Sequence, residues 1–163
     1  MLNVIIRQVA EADICVVEDI SVAGFAVHYD YYRNIMGDKI FETVHKDWRE
    51  KKKKAVRDAC LSGTGYKAYI AEVDDKPAGF ITFITNPVSK IGVISNNSVS
   101  PDYQGQGIGK KLYEFALNIM KKEGMVCARV DTGLGPTFEP ARRAYEKSGF
   151  DRQLQTVSYY MEL

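Results

Sequence analysis

Between Ser98 and Leu112 the chain reads Ser-Val-Ser-Pro-Asp-Tyr-Gln-Gly-Gln-Gly-Ile-Gly-Lys-Lys-Leu. Glycines alternate at Gly105, Gly107 and Gly109, two lysines follow, and a strongly periodic helical pattern begins. A glycine-dense turn that opens a helix presents unpaired backbone N–H groups at the positive end of the helix dipole, which is chemistry for gripping phosphate. A P-loop requires a glycine where this chain has Gln104 and a Ser or Thr where it has Lys111, so that reading fails. A dinucleotide fingerprint starts with Gly105-Gln106-Gly107, but its third glycine falls on Lys110. A third pattern, Q/R-x-x-G-x-G/A after a strand ending in hydrophobic-x-Pro, is satisfied by Gln104, Gly107 and Gly109 following Val99-Ser100-Pro101.

The composition sets bounds on the rest. The chain has 163 residues, 45% of them hydrophobic and 26% charged, which fits one globular domain over 1–163 with a real core. A net charge of +1 gives no global field that favours nucleic acid or an anionic membrane. Cys15, Cys60 and Cys127 are widely spaced and form no C-x-x-C pair, so neither a metal centre nor a disulfide framework is expected. A signal peptide and a membrane-length apolar run are both missing, which points to the cytoplasm.

The elements that must position the loop are legible by period. Asn3–Gln8 reads as a strand, and Glu11 to about Gly24 as a helix with Ile14, Val17 and Ile20 on its apolar stripe. The aromatic run from Val27 to Arg33 has no clean period; Tyr29, Tyr31 and Tyr32 are candidates for contact with a substrate, because tyrosine offers rigid area with a polar tip. One long helix is expected over Asp38–Leu61, stopped by Ser62-Gly63-Thr64-Gly65. Its lysines, Lys51 to Lys54, span a full turn and read as a solvated face. Tyr66–Val73 and Ala78–Ile84 form a hairpin, and Ile91–Val99 is a further strand carrying the polar cluster Ser95-Asn96-Asn97-Ser98. Polar groups late in a strand are costly unless they are partnered or face a cleft. The helix after the loop steps through Ile108, Leu112, Phe115 and Ile119 and ends at Gly124. Met125–Asp131 is a strand parallel to the one before the loop. A short helix entered through Pro140 runs to Lys147 and stops at Gly149, and Val157–Leu163 closes the chain as a last strand.

This element order, the glycine pattern and the late stretch Pro140–Phe150, a small-residue helix carrying Tyr145 and closing in Gly149-Phe150, resemble the GNAT superfamily of acetyl-coenzyme A-dependent N-acyltransferases over nearly the whole chain. The resemblance implies an α/β (α+β) fold with a mixed central sheet of six to seven strands flanked by about four helices. It implies acetyl-coenzyme A as co-substrate, no metal, and direct transfer of the acetyl group to a primary amine in a ternary complex. By position, backbone groups of Asn97 and Val99 would pair with the pantetheine arm. The amides of Gln104, Gly105, Gln106, Gly107, Ile108, Gly109 and Lys110 would hold the pyrophosphate. The Val99 N–H would face the thioester oxygen, and Tyr145 would be the general acid to the leaving thiolate, a phenol that keeps its proton at pH 7.

Two positions depart from that pattern. Phe138 stands where many relatives carry Asn or His, and Gly92 stands where some place a glutamate base, so no base is assigned; Glu72, Asp131, His28 and a water chain stay open. The acceptor amine is unidentified, small molecule or protein. The partners implied are acetyl-coenzyme A and that amine, with no nucleic acid and no membrane, and with a homodimer through exposed final strands. The rival reading is a catalytically degenerate acyl-coenzyme A-binding sensor.

Overall fold

Alternating apolar residues and tight turns build the sheet first. In the computed structural model, which describes residues 3–61 and 63–163, β1 (Val4–Gln8), β2 (Lys67–Val73), β3 (Lys76–Asn86), β4 (Ile91–Val99) and β5 (Cys127–Val130) form one sheet in the order β1-β2-β3-β4-β5. The first three pairings are antiparallel, and β4 and β5 run parallel. β2 and β3 are joined at Asp74-Asp75, both in the left-handed region (φ 50° and 60°), which a short carboxylate side chain tolerates.

Helices cover both faces. On one, α4 (Ile108–Lys122) and α5 (Glu139–Lys147) pack Ile108, Leu112, Tyr113, Ala116, Met120 and Tyr145 against Ala71, Ile81, Phe83 and Ile94. On the other, α1 (Ile14–Met36) and α3 (Trp48–Cys60) pack Val17, Ile20 and Val56 against Ile70 and Phe80. The short α2 (Asp38–Val44) precedes α3. The parallel strand after the glycine loop and the helix entered through Pro140 are as expected.

Four expectations are corrected. The sheet has five strands rather than six to seven. Val157–Leu163 is no strand: residues 151–163 lie exposed, with Leu154 95% and Tyr159 92% accessible, and their side-chain hydrogen bonds to the rest of the described chain are Lys39 to Glu162 and Gln153 to Glu146. Strand composition becomes a strand only where a neighbouring edge takes up the backbone hydrogen bonds. The first long helix does not stop near Gly24 but continues to Met36, because Gly24 lies against Ser98 of β4, where a Cβ would fall 1.9 Å from the hydroxyl. It is a close-approach glycine and not a terminator. The single helix over Asp38–Leu61 is broken at His45–Asp47, where Asp47 is left-handed (φ 54°) and begins α3 afresh. The break resets the helical phase, so Val56 is buried and Ala55 is not. Of the expected stop signal, Ser62 lies outside the described residues.

The entry to α1 is held by charge. Arg7 of β1 donates to both carboxylate oxygens of Asp13, at 2.6 and 2.9 Å, and to Glu72 of β2 at 2.6 Å. Asp13 also accepts the Ala10 N–H at 2.7 Å. The Arg7 hydrogen bonds, more than the Ala10 amide, hold the Asp13 carboxyl below its ordinary value despite partial desolvation. A carboxyl depressed in the folded state contributes stability above its unfolded pKa of about 4, and that contribution is lost as pH falls through the folded value. Asp13→Asn is therefore expected to be less stable than the parent at pH 7. The gap should close below about pH 4, as read by urea unfolding at the two pH values.

Candidate active site

The polar cluster late in β4 is where the sheet opens. Pairing between β4 and β5 ends at Ile94 and Val130, so Ser95–Val99 continues with no strand on that side. Opposite, β3 stays paired but slips: Phe83 faces Ile94 and Ile81 faces Asn97, so Thr82 stands against both Ser95 and Asn96. That is a β-bulge. The buried Thr82 hydroxyl fills it, accepting the Asn96 N–H at 3.0 Å and donating to the Asn96 carbonyl at 3.3 Å. Beyond the bulge the Ser100 N–H donates to the Ala78 carbonyl of β3 at 2.8 Å. By alternation, the backbone groups of Val99 and Asn97 point the other way, along the open edge.

The glycine loop continues that edge. A short helical turn, Pro101–Tyr103, leads into Gln104–Gly107, all exposed. Gly105 (φ 74°) and Gly107 (φ 80°) need the left-handed region, and Gly107 is the N-cap of α4. No side chain caps this helix, so the first-turn N–H groups of Ile108, Gly109 and Lys110 present the positive helix end to whatever lies there. Gly109 has an ordinary backbone, and a Cβ there would meet only Val99 and Tyr113 at 3.7 and 3.9 Å. The Gln104 amide donates to the Val99 carbonyl at 3.2 Å and Gln106 donates to the Asp102 carbonyl at 3.3 Å, so both side chains brace the loop. Lys110 pairs with Glu114 one turn on.

Two tyrosines close one face of the open edge. Asn97 accepts the Tyr113 hydroxyl at 2.8 Å, and its amide reaches the Tyr145 oxygen at 3.5 Å. The rings of Tyr113 and Tyr145 are 4.9 Å apart, and Phe150 meets Tyr145 edge-on. Burial raises the pKa of both phenols above the ordinary value; for Tyr145 the hydrogen bonds from Asn97 and Tyr113 oppose that shift. The pair stays protonated at neutral pH, as proton donation requires. Tyr113 has no place in the sequence reading, although Gly109, Tyr113, Ala116 and Met120 recur at helical spacing along the buried side of α4.

The opposite face belongs to α1 and α3. Ser98 donates to the Ile20 carbonyl at 3.4 Å. Asn96 accepts the Lys52 ammonium at 3.2 Å, and that ammonium lies 3.4 Å from the centroid of Phe25. His28 stacks on Phe138 at 3.9 Å and is 3.0 Å from the Thr137 hydroxyl. Phe138 thus takes no polar role; it ties α1 to the loop before α5. Of the three tyrosines singled out in the aromatic run, Tyr31 reaches that loop, lying where a Cβ on Gly135 would stand. Tyr29 stacks on Trp48 at 3.9 Å and Tyr32 stacks on His45, packing α1 against α2 and α3. Of the open candidates for a base, Glu72 is engaged by Arg7 and Asp131 by Arg129. His28 is on the site, with its pKa lowered by burial and then by Lys52. Among the described residues no cluster of three or more His, Cys, Asp or Glu is placed to hold a metal ion, and no helix is long and apolar enough to cross a membrane.

Comparison with known proteins adds to this geometry. The acetyltransferase (GNAT) family pattern matches residues 28–150. An uncharacterized N-acetyltransferase of Methanocaldococcus jannaschii is 31% identical over 90 residues, 52% of this chain and 39% of that protein. Another, from Archaeoglobus fulgidus, is 34% identical over 88 residues, 51% of this chain and 58% of that protein. The chain thus matches about half the length of these curated relatives or less. The PaiA N-acetyltransferase of Thermoplasma acidophilum, solved in complex with coenzyme A, superposes with a TM-score of 0.73 at 21% identity, covering 93% of this chain and 92% of that one.

The bulge itself is open to test. Thr82→Val keeps the shape but leaves the Asn96 N–H and carbonyl without their partner, a loss of about 1–3 kcal/mol. Thr82→Ser keeps the hydroxyl and is expected to lose markedly less. Chemical denaturation of the two variants beside the parent reads the difference.

Proposed function

The chain belongs to the acetyltransferase (GNAT) family, and on that premise we propose that residues 1–163 act as a single catalytic domain that transfers an acetyl group from acetyl-coenzyme A to a primary amine. The observation that carries the reading is the continuity of the open edge. Backbone at Asn97 and Val99 that no strand pairs on this side leads at one end into the uncapped start of α4, and it is faced from one side by the Tyr145 hydroxyl.

In this reading the amides from Gln104 to Lys110 take the pyrophosphate, and the left-handed Gly105 and Gly107 let the backbone turn its N–H groups toward it. Asn97 and Val99 pair with the pantetheine amides as a neighbouring strand would. Gln104, by holding the Val99 carbonyl, sets the angle between strand end and loop. Acetyl-coenzyme A supplies an activated thioester and a thiolate leaving group. In this reading the Val99 N–H donates to the thioester oxygen. Tyr145 keeps its proton at neutral pH because it is buried, and it gives that proton to the departing sulfur, while the proton shed by the attacking nitrogen passes to water and in turn restores the phenol. Tyr113 is a positioning residue: through Asn97 it fixes the amide that Tyr145 meets. Tyr113 and Tyr145 fill the α4–α5 face, so the amine approaches from the α1–α3 face.

A thiol-release assay with acetyl-coenzyme A against an amine library tests the reading. Tyr145→Phe is expected to lower kcat about a hundredfold or more, within the usual range for general acid catalysis. The rise in melting temperature on adding coenzyme A should be unchanged. Tight coenzyme A binding with no turnover on any amine, in parent and variant alike, would establish a sensor instead.

A further inference from the structure

Lys52 is the member of the Lys51–Lys54 run that does not face solvent. Lys53 pairs with Asp19 and Lys54 with Asp58. Lys52 turns inward, and its ammonium has the Asn96 side-chain oxygen and the Phe25 ring as neighbours. No carboxylate among the described residues pairs with it. Desolvation alone lowers its pKa to about 8, with no acidic group acting against the shift. His28, the other basic group on this face, is lowered first by burial and then by Lys52, with no acid opposing. A desolvated cation ordinarily has an anion beside it. Here the place beside it is the face of the open edge from which the amine must come.

A face built to receive a polyamine or another multiply charged cation would carry carboxylates. This face carries a lysine and a histidine. Four acids of α1 and α2 are paired elsewhere, Glu18 with Arg57, Asp19 with Lys53, and Glu42 and Asp38 with Arg33, while Asp30 of α1 and Glu50 of α3 are exposed. From the contact of Lys52 with Asn96 on the free stretch of β4, beside Phe25, we infer that the acceptor is a primary amine carrying a carboxylate, and that Lys52 receives that carboxylate while the amine faces the open edge. This rests on the acetyl-transfer reading and narrows it to amino acids and molecules of that kind. Lys52 is then a specificity determinant. Asn96 and Phe25 hold its ammonium, and Thr82, by fixing the Asn96 backbone, holds Asn96.

The test uses matched acceptors in the thiol-release assay: a set of free amino acids, the same amino acids as carboxamides, and a linear polyamine. The amine of a carboxamide is the less basic of each pair, so more of it is neutral at pH 7. Basicity alone therefore favours the amide, and preference for the acid is informative. The parent protein is expected to favour the acid by about tenfold or more in kcat/KM, the factor that one modest ionic contact supplies. Lys52→Met should abolish the acid preference and let basicity take the ratio below one, mainly through KM, and Lys52→Arg should keep the preference. An unchanged rise in melting temperature with coenzyme A certifies that both variants are folded. Preference of the parent for the amide or the polyamine overturns the inference, as does an acid preference that survives in Lys52→Met. Should the variant fail to fold, the parent's acid-to-amide ratio decides alone. Binding of coenzyme A with no turnover on any amine instead removes the acetyl-transfer reading, and this inference with it.

Discussion

The parting of β4 from β5 after Ile94 is the constraint on which the rest of the site depends. A strand that keeps one neighbour and loses the other exposes backbone groups that water or a ligand must satisfy. The structure confines this exposure to a few residues and braces them. The Thr82 hydroxyl satisfies both backbone groups of Asn96 inside the sheet, and the Gln104 amide takes the Val99 carbonyl at its end. What stays open between them is a short, rigid edge that runs into the start of a helix.

The bulge also decides which side chain faces which helix. Because Thr82 stands against two residues, Ile94 and Asn97 both point toward α4 and α5, and Asn96 points toward α1 and α3. Two neighbouring asparagines therefore serve opposite faces. Asn97 gathers Tyr113 and Tyr145, and Asn96 gathers Lys52. One face is closed, aromatic and protonated; the other carries basic groups and receives the long helix α1. Phe138 belongs to this second arrangement, its ring flat against His28, where it docks α1 against the loop before α5.

The remaining charges hold the scaffold in register. Arg7 joins β1, β2 and the turn into α1, and Lys67 joins β2 to Glu123 just after α4, beside Thr85 of β3. The part-buried Arg7 pairs carry more of this than the exposed Lys67–Glu123 pair, since solvent screens the latter. On α1 the acids Glu18 and Asp19 are taken by Arg57 and Lys53, and among the described residues no carboxylate pairs with Lys52.

The glycine spacing and the Pro140–Phe150 stretch settled the family, and the apolar periods settled the five paired strands and the helix after the loop. These are local properties: a left-handed glycine, a helix stripe and an alternating strand are each written in residues close in sequence. The rest was decided at long range. No local signal tells a terminating glycine from Gly24, whose missing side chain makes room for Ser98 of a strand far along the chain. Strand composition in Val157–Leu163 is not enough without an edge to pair with. Alternation counted forward from Ile94 would put Asn96, not Asn97, beside Tyr145; one extra residue against Thr82 reverses it. Lys52 read as one of four solvated lysines because a helical turn faces every direction, and only packing of α3 against α1 and β4 shows which direction is inward. The glycine loop, the Tyr145 helix and the family were therefore determined by the sequence. The side-chain contacts of Asn97, Tyr113 and Lys52 were decided by tertiary structure, because each depends on a register or a contact between segments that do not adjoin in the chain.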